Sequence, residues 1–256
     1  MKFKILFLVL FSLLNLASCK DDNKKEVSID TPKIKTQQEP EVNIDGLSHS
    51  SLWDGIRSES EFEDVFASYT ENRFKEKKKA ISMDGMSEYS MIINQDGLNL
   101  EKEITISIWY KPISFKGSGN DVVLYKASDD TKKAPFVQYF IGVSGNEYPS
   151  DKARGSFKFA LSINGNYVSV KTTIDFWLPN TWYNLTGTYD GETIKFYVNG
   201  KLVNSRVVEG KIDIYDTNLF VGRKNEAAKF YTPGNYDNLR IYNRALTKEE
   251  IMLLAN

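Results

Sequence analysis

Trp182-Tyr183-Asn184-Leu185-Thr186-Gly187-Thr188-Tyr189, followed by Asp190-Gly191, Thr193 to Val198, Asn199-Gly200 and Lys201-Leu202-Val203, decides the fold. Apolar and polar side chains alternate along these runs, the period of a strand that buries one face. Asp-Gly and Asn-Gly stand where tight hairpin turns require positive φ. Residues 182–203 therefore predict three antiparallel strands joined by two short turns.

The same grammar extends outward. Phe157 to Ile163, Asn164-Gly165 and Tyr167 to Val170 form another hairpin signal. Ile104 to Tyr110 alternates and stops at Pro112, which has no N–H for a ladder. Val122 to Tyr125, Phe136 to Ile141, Leu219 to Gly222 and Tyr236 to Tyr242 complete the series. Short strands at even spacing, with tight turns and no helices between them, predict an all-β, antiparallel β-sandwich of the jelly-roll kind. Aromatic residues at 13% suit such a sheet protein. Thr247 with Glu250 three positions on is a capping box, which predicts a short C-terminal helix docking Ile251 and Leu254. Between residues 60 and 70, Phe62, Val65, Phe66 and Tyr69 fall at helical spacing, and a short helix or a long lead-in loop both fit.

The N-terminus has a different character. Lys2 and Lys4 precede an apolar run from Ile5 to Leu16. That run is shorter than the ~20 residues a membrane span needs and has the flanks of a secretory leader. It ends in Leu16-Ala17-Ser18-Cys19, which resembles the lipobox of bacterial lipoproteins. The resemblance implies a signal peptide over 1–18, cleavage before Cys19 and acylation of its sulfur, with more than one chain because a single acyl chain anchors only marginally. Lys20-Asp21-Asp22 is similar to the export signal of surface lipoproteins in some Gram-negative bacteria; a solvated charged stub accounts for the same residues. Residues 19–44 are polar, with Pro32 and Pro40, and read as a disordered tether ahead of a domain over 45–256. The expected location is the outer membrane, lipid-anchored and facing outward.

Composition narrows the chemistry. Removing residues 1–18 takes away two lysines and leaves 31 basic against 34 acidic residues. That balance argues against nucleic-acid binding, which needs clustered Lys and Arg. Cys19 is the only cysteine, so no disulfide braces the fold, and His49 is the only histidine. Zinc fingers and Cys-His nucleophiles are excluded.

Five segments, in order, resemble the LamG-like jelly-roll family, a branch of the concanavalin A-like lectin/glucanase fold. Met83-Asp84-Gly85-Met86-Ser87-Glu88-Tyr89 stands at its opening strand, with Met in place of an aromatic residue. Ile104 to Pro112 is similar to its Thr-Ile-Ser-x-Trp-x-Lys-Pro strand. Trp182-Tyr183 with Tyr189-Asp190-Gly191, and Phe196 to Lys201, resemble its hairpin. Asp237 to Leu246 is similar to its closing strand. The family's Gly-x-Ile-Asp-Glu appears here as Gly234-Asn235-Tyr236-Asp237-Asn238, a departure at the Glu position. The resemblance covers about residues 45–256 and implies a rim calcium, for which Asp84 and Asp237 are the matching acids. Glycosidases of this fold carry Glu-x-Asp-x-x-Glu on one strand, and no strand here has it. Glu59, Glu61, Glu63, Asp64, Asp129, Asp130 and Asp175 read as solvated or unpartnered acids, and His49, between Ser48 and Ser50, lies in the lead-in.

Binding is therefore the expected activity, without catalysis, and the fold implies an extracellular glycan. Loop aromatics beside Pro, Gly or Asn are the candidates to stack on sugar: Trp177, Tyr148 and Tyr231. The same three side chains also suit capping the ends of the core, whereas Trp109 and Trp182 lie inside strand patterns and are expected in it. A scaffold subunit that binds a surface protein is the alternative, and a divergent glycoside hydrolase is the third reading.

Overall fold

The computed structural model describes residues 45–51, 53, 62–65, 67–113, 120–128, 137–144, 155–173, 177–224 and 230–256. Cys19, the leader, the tether, Tyr148 and the acids Glu59, Glu61, Asp129, Asp130 and Asp175 lie outside them. All described residues belong to the unit Gln37–Asn256.

Fifteen described strands build two antiparallel sheets. They are β1 (Leu47–Ser51), β2 (Phe62–Val65), β3 (Ser68–Thr70), β4 (Ala80–Met83), β5 (Tyr89–Ile92), β6 (Ile104–Pro112), β7 (Asn120–Ala127) and β8 (Val137–Ser144). Then come β9 (Ser156–Ile163), β10 (Asn166–Lys171), β11 (Tyr183–Tyr189), β12 (Thr193–Val198), β13 (Lys201–Val207), β14 (Leu219–Val221) and β15 (Gly234–Tyr242), and finally helix α1 (Lys248–Leu254). One sheet runs β13-β12-β11-β6-β15-β4-β3, with β1 also paired to β15; the other runs β10-β9-β8-β7-β14-β5-β2. Strands β7 to β10 and β11 to β13 run as meanders, whereas β6 and β14 join partners distant in sequence (β15 and β11, β5 and β7), the crossovers of a jelly roll.

The turns follow the local chemistry. Asn164 and Gly165 both hold positive φ (47° and 74°), as do Asn199 and Gly200 (49° and 73°). Asn tolerates this region and Gly has no Cβ to clash, so each pair closes a two-residue hairpin. Asp190 caps its own turn by accepting from the N–H groups of Glu192 and Thr193.

Between the sheets lies one apolar core. Ile104, Ile106, Ile108 and Tyr110 of β6 face Phe157, Phe159 and Leu161 of β9 across it, all fully buried. At about 25 cal/mol per Å², burial on this scale outweighs the missing disulfide as the source of stability. Phe62–Val65 and Ser68–Thr70 do not form the helix that the spacing allowed. Phe62–Val65 pairs with β5 and Ser68–Thr70 with β4, because open sheet edges there offer backbone partners that outweigh helical periodicity.

The outer face of the eight-stranded sheet is covered. Tyr197, Tyr242 and Leu246 pack against Ile251 and Leu254 of α1. Trp109 Nε1 and Asn184 Nδ2 both donate to the Leu254 carbonyl, at 3.2 and 3.3 Å. The helix starts at Thr247, whose Oγ1 accepts from Glu250 N–H while the Glu250 carboxylate accepts from Thr247 N–H. These contacts satisfy orphan donors at the helix start and fix the angle at which α1 lies on the sheet.

Candidate functional site

Opposite the face that α1 covers, the outer side of the seven-stranded sheet carries an apolar layer of its own, exposed at its β10 edge through Tyr167. Strand alternation sends Val123, Tyr139, Ile141, Phe157, Phe159, Leu161, Leu219 and Val221 into the core. The residues between them point away from it. Val122, Tyr125, Ala127, Phe140 and Ala160, with Val137, form a second apolar cluster on that outer side.

These side chains form a row that crosses the sheet in register. Met91 pairs with Phe220, Phe220 with Tyr125, Tyr125 with Phe140, Phe140 with Ala160 and Ala160 with Ser169. Tyr125 and Phe140 meet edge to face, with centroids 6.1 Å apart. Such aromatic pairs add about 0.5–1.5 kcal/mol beyond the area they bury. Gly142 is needed here: a Cβ would come within 2.3 Å of the Phe140 ring and 2.4 Å of the Asp121 carbonyl. Its bare backbone lets the ring settle against the sheet.

Cations and further rings flank the row at both ends. At one end the Lys158 Nζ lies 5.1 Å from the Phe140 centroid and 5.8 Å from that of Tyr167. Tyr167 is 44% exposed. At the other end the Arg223 guanidinium lies 4.5 Å over Tyr89, 5.5 Å over Tyr231 and 5.6 Å over Phe220. Burial pushes the Tyr125 and Tyr167 hydroxyls up to about 12, and for Tyr167 the neighbouring Tyr125 adds to the effect. Both stay neutral hydroxyl groups at physiological pH, able to donate and accept.

The residues singled out from sequence fare differently. Tyr231 belongs to this surface, half-buried and 6.1 Å from Tyr89 centroid to centroid. Trp177 does not: it is 3% exposed and packs 5.8 Å from Phe157 inside the main core. Burying the indole against Phe157 is more favourable than leaving it in water. Trp182 departs in the other direction; it precedes β11, is half-buried and lies 5.2 Å from Lys111 Nζ. Trp109 is buried as expected.

Asp84, one residue beyond β4, and Asp237, in the neighbouring β15, do not converge. The β4–β15 ladder pairs Met83 with Gly234, so Asp84 sits level with Pro233, four residues from Asp237. Strand rise makes that about 13 Å. The exposed Asp84 Oδ1 accepts from Met86 and Ser87 N–H, closing its own turn. The buried Asp237 accepts from Arg73 Nη1 at 3.2 Å. A guanidinium already occupies the place a cation would take, so this pair does not fit a calcium site. Among the described residues, no group of three His, Cys, Asp or Glu is positioned to hold a metal ion.

His49 is no part of a flexible lead-in. It lies in β1 opposite Ile241, 5% exposed, with Nε2 2.9 Å from Ser51 Oγ and Nδ1 3.2 Å from Gln95 Nε2. Burial lowers its pKa to about 4, so the ring is neutral at physiological pH. These are the contacts of a structural histidine.

The outer row itself was hidden in plain apolar runs. Phe136 to Ile141 and Val122 to Tyr125 are apolar almost without interruption, the signature of a strand buried on both faces. Two bulges in the β7–β8 ladder, after Val122 and after Lys126, shift which residues face out.

A family model described as the concanavalin A-like lectin/glucanases superfamily matches residues 84–252. The chain belongs to that superfamily. Its matched segment starts at the Asp84 turn and ends inside α1, so it takes in β5 to β15, the aromatic row and most of the covering helix. Among solved structures, this member of the superfamily is similar to domain 4 of AbnA, a GH43 extracellular arabinanase from Geobacillus stearothermophilus, in complex with arabinotriose. Identity is 18% over 75% of this chain and 82% of that one, with a TM-score of 0.53. It is also similar to the binding domain of Paraclostridial Mosquitocidal Protein 1 (16% identity, 76% and 47% coverage, TM-score 0.53). The receptor binding domain of botulinum neurotoxin D gives 15% identity, 76% and 47% coverage and a TM-score of 0.55. The chain spans about half the length of the two toxin domains. At these identities the likeness is one of fold. A comparison with curated proteins finds no match.

Proposed function

We propose that this chain is a lipid-anchored, surface-exposed module that binds extracellular carbohydrate without catalysis. The observation that carries the reading is the aromatic row Phe220–Tyr125–Phe140, set across the sheet opposite α1 and ending beside the exposed ring of Tyr167. Pyranose faces stack on aromatic rings, and a ring held by a packed sheet loses little freedom on binding. The buried row is the rigid floor; Tyr167 and Lys158 at its edge supply the contact surface. Rings and ammonium groups are the equipment of a binding face, whereas a retaining glycosidase needs two carboxylates about 5–5.5 Å apart. The arabinanase domain solved with arabinotriose supports sugar as the ligand class for this sandwich.

Cys19, after a short apolar leader and as the sole cysteine, supports the anchor. The acidic stub beyond it favours the outer leaflet. Palmitate labelling of the full chain in its own cell, lost in Cys19→Ala, tests the anchor, and protease shaving of intact cells tests exposure.

A glycan array probed with the full-length protein tests the ligand. Selective binding that Tyr167→Ala weakens at least tenfold, with an unchanged melting temperature, is the expected result. A flat response across all glycans overturns the sugar assignment in favour of a protein partner.

A further inference from the structure

We propose that the face around Tyr167 takes an anionic sugar, with the negative group held between Lys158 and Lys171. This deepens the carbohydrate reading above and rests on it.

The two lysines are direct cross-strand partners in the β9–β10 ladder, so their side chains leave the sheet on the same side. Like charges placed directly opposite on a sheet repel and cost stability. Four other cations have a carboxylate partner: Lys195 pairs with Asp190, Lys211 with Glu101, Arg73 with Asp237 and Arg244 with Glu250. Among the described residues, neither Lys158 nor Lys171 has a carboxylate within ion-pairing distance. The contacts of the Lys158 ammonium are the faces of Phe140 and Tyr167. A half-buried ammonium between two rings, opposite a second ammonium, is a place of concentrated positive potential in a chain whose net charge is −1. Burial, then the nearby Lys171, holds Lys158 below the usual lysine range. An anion bridging the pair would remove the repulsion and favour the charged form of both ammonium groups.

The ring of Tyr167 beside this pair fixes the class of the anion. A sugar ring stacks on the exposed Tyr167 while its substituent points at the two ammonium groups, with the buried Phe140 backing Lys158 from below. Point-charge donors of this kind accept a carboxylate or a sulfate alike, so uronic acids and sulfated sugars share the required chemistry.

The test is isothermal titration of the full-length protein with polygalacturonate, dextran sulfate, neutral dextran and a single-stranded oligonucleotide. Either acidic polysaccharide is expected to bind at least tenfold more tightly than dextran and the oligonucleotide, and which one does so separates carboxylate from sulfate. Lys158→Gln and Lys171→Gln, the latter at an exposed position, should each weaken that binding about tenfold and flatten its dependence on added salt. Relief of the like-charge pair should leave the melting temperature of either variant equal or higher, which confirms folding. Equal binding of neutral and acidic polysaccharide, or affinity untouched by both substitutions, overturns the anionic assignment and leaves the carbohydrate reading standing. Equal binding of the oligonucleotide overturns it as generic polyanion attraction. Binding of none of the four, together with a flat glycan array, overturns both.

Discussion

Arg73 and Asp237, 164 positions apart, meet at 3.2 Å through Arg73 Nη1, and the guanidinium rests 4.5 Å over the Trp109 ring. Their side chains are 7% and 1% exposed. Breaking a buried pair from one side leaves the other charge uncompensated, at a cost of about 3–5 kcal/mol. Arg73→Met should lower stability by about that much in urea unfolding. The double variant Arg73→Met/Asp237→Asn should recover part of the loss, since no full charge then stays buried.

Lys126 offers a second buried cation. Its side chain is fully buried and Nζ donates to Asn94 Oδ1 at 2.9 Å and to the carbonyls of Tyr215 and Thr217 at 2.6 Å each. The ammonium ties the 213–217 segment to the end of β7. Lys126→Met keeps the length and removes every donor, leaving acceptors without their partner. A loss of about 2–3 kcal/mol is expected, read as a lower denaturant midpoint at unchanged slope.

His49 predicts a pH dependence whose direction is fixed. Its pKa falls from 6.5 to about 4 on folding, so between these values the unfolded chain binds more protons than the folded one. Stability therefore rises with pH across that window. The contribution is complete above pH 6.5 and lost as pH falls toward 4, amounting to about 3 kcal/mol at 1.36 kcal/mol per unit. His49→Gln should remove this slope between pH 4 and 6.5, as followed by thermal unfolding in a pH series.

Gly142→Ala probes the aromatic row without touching any ring. The added methyl would overlap the Phe140 ring and the Asp121 carbonyl. Overpacking of this kind costs about 1–3 kcal/mol. The variant should melt lower and, because Phe140 must move out of register with Tyr125, bind glycan more weakly than Tyr167→Phe does.

What the sequence made legible was local. Asn164-Gly165 and Asn199-Gly200 declare their turns because the required φ is a property of those residues alone. Thr247 and Glu250 declare the helix in the same way. Side chains whose environment comes from distant segments were harder to read. Trp177 looks like a loop aromatic in its own neighbourhood and is buried because it packs on Phe157, while Tyr183 holds the next residue by accepting from Leu178 N–H. Asp237 stands at the acidic position of a closing strand, yet its partner is Arg73 rather than Asp84. The outward row from Phe220 to Ala160 was obscured by two bulges, each of which inverts the facing of every residue beyond it.

Strand β15 carries one more consequence. It pairs with β6 along one side and with both β4 and β1 along the other, so residues 234–242 sit at the middle of their sheet. Ladders that join residue 47 to 242 and residue 83 to 234 close very long loops, which slows folding and makes it all-or-none. A nascent chain lacking its last two dozen residues lacks a central strand and the helix above it. Until residues 234–254 have been made, the eight-stranded sheet therefore lacks both the strand that joins its two halves and the helix that seals its outer face.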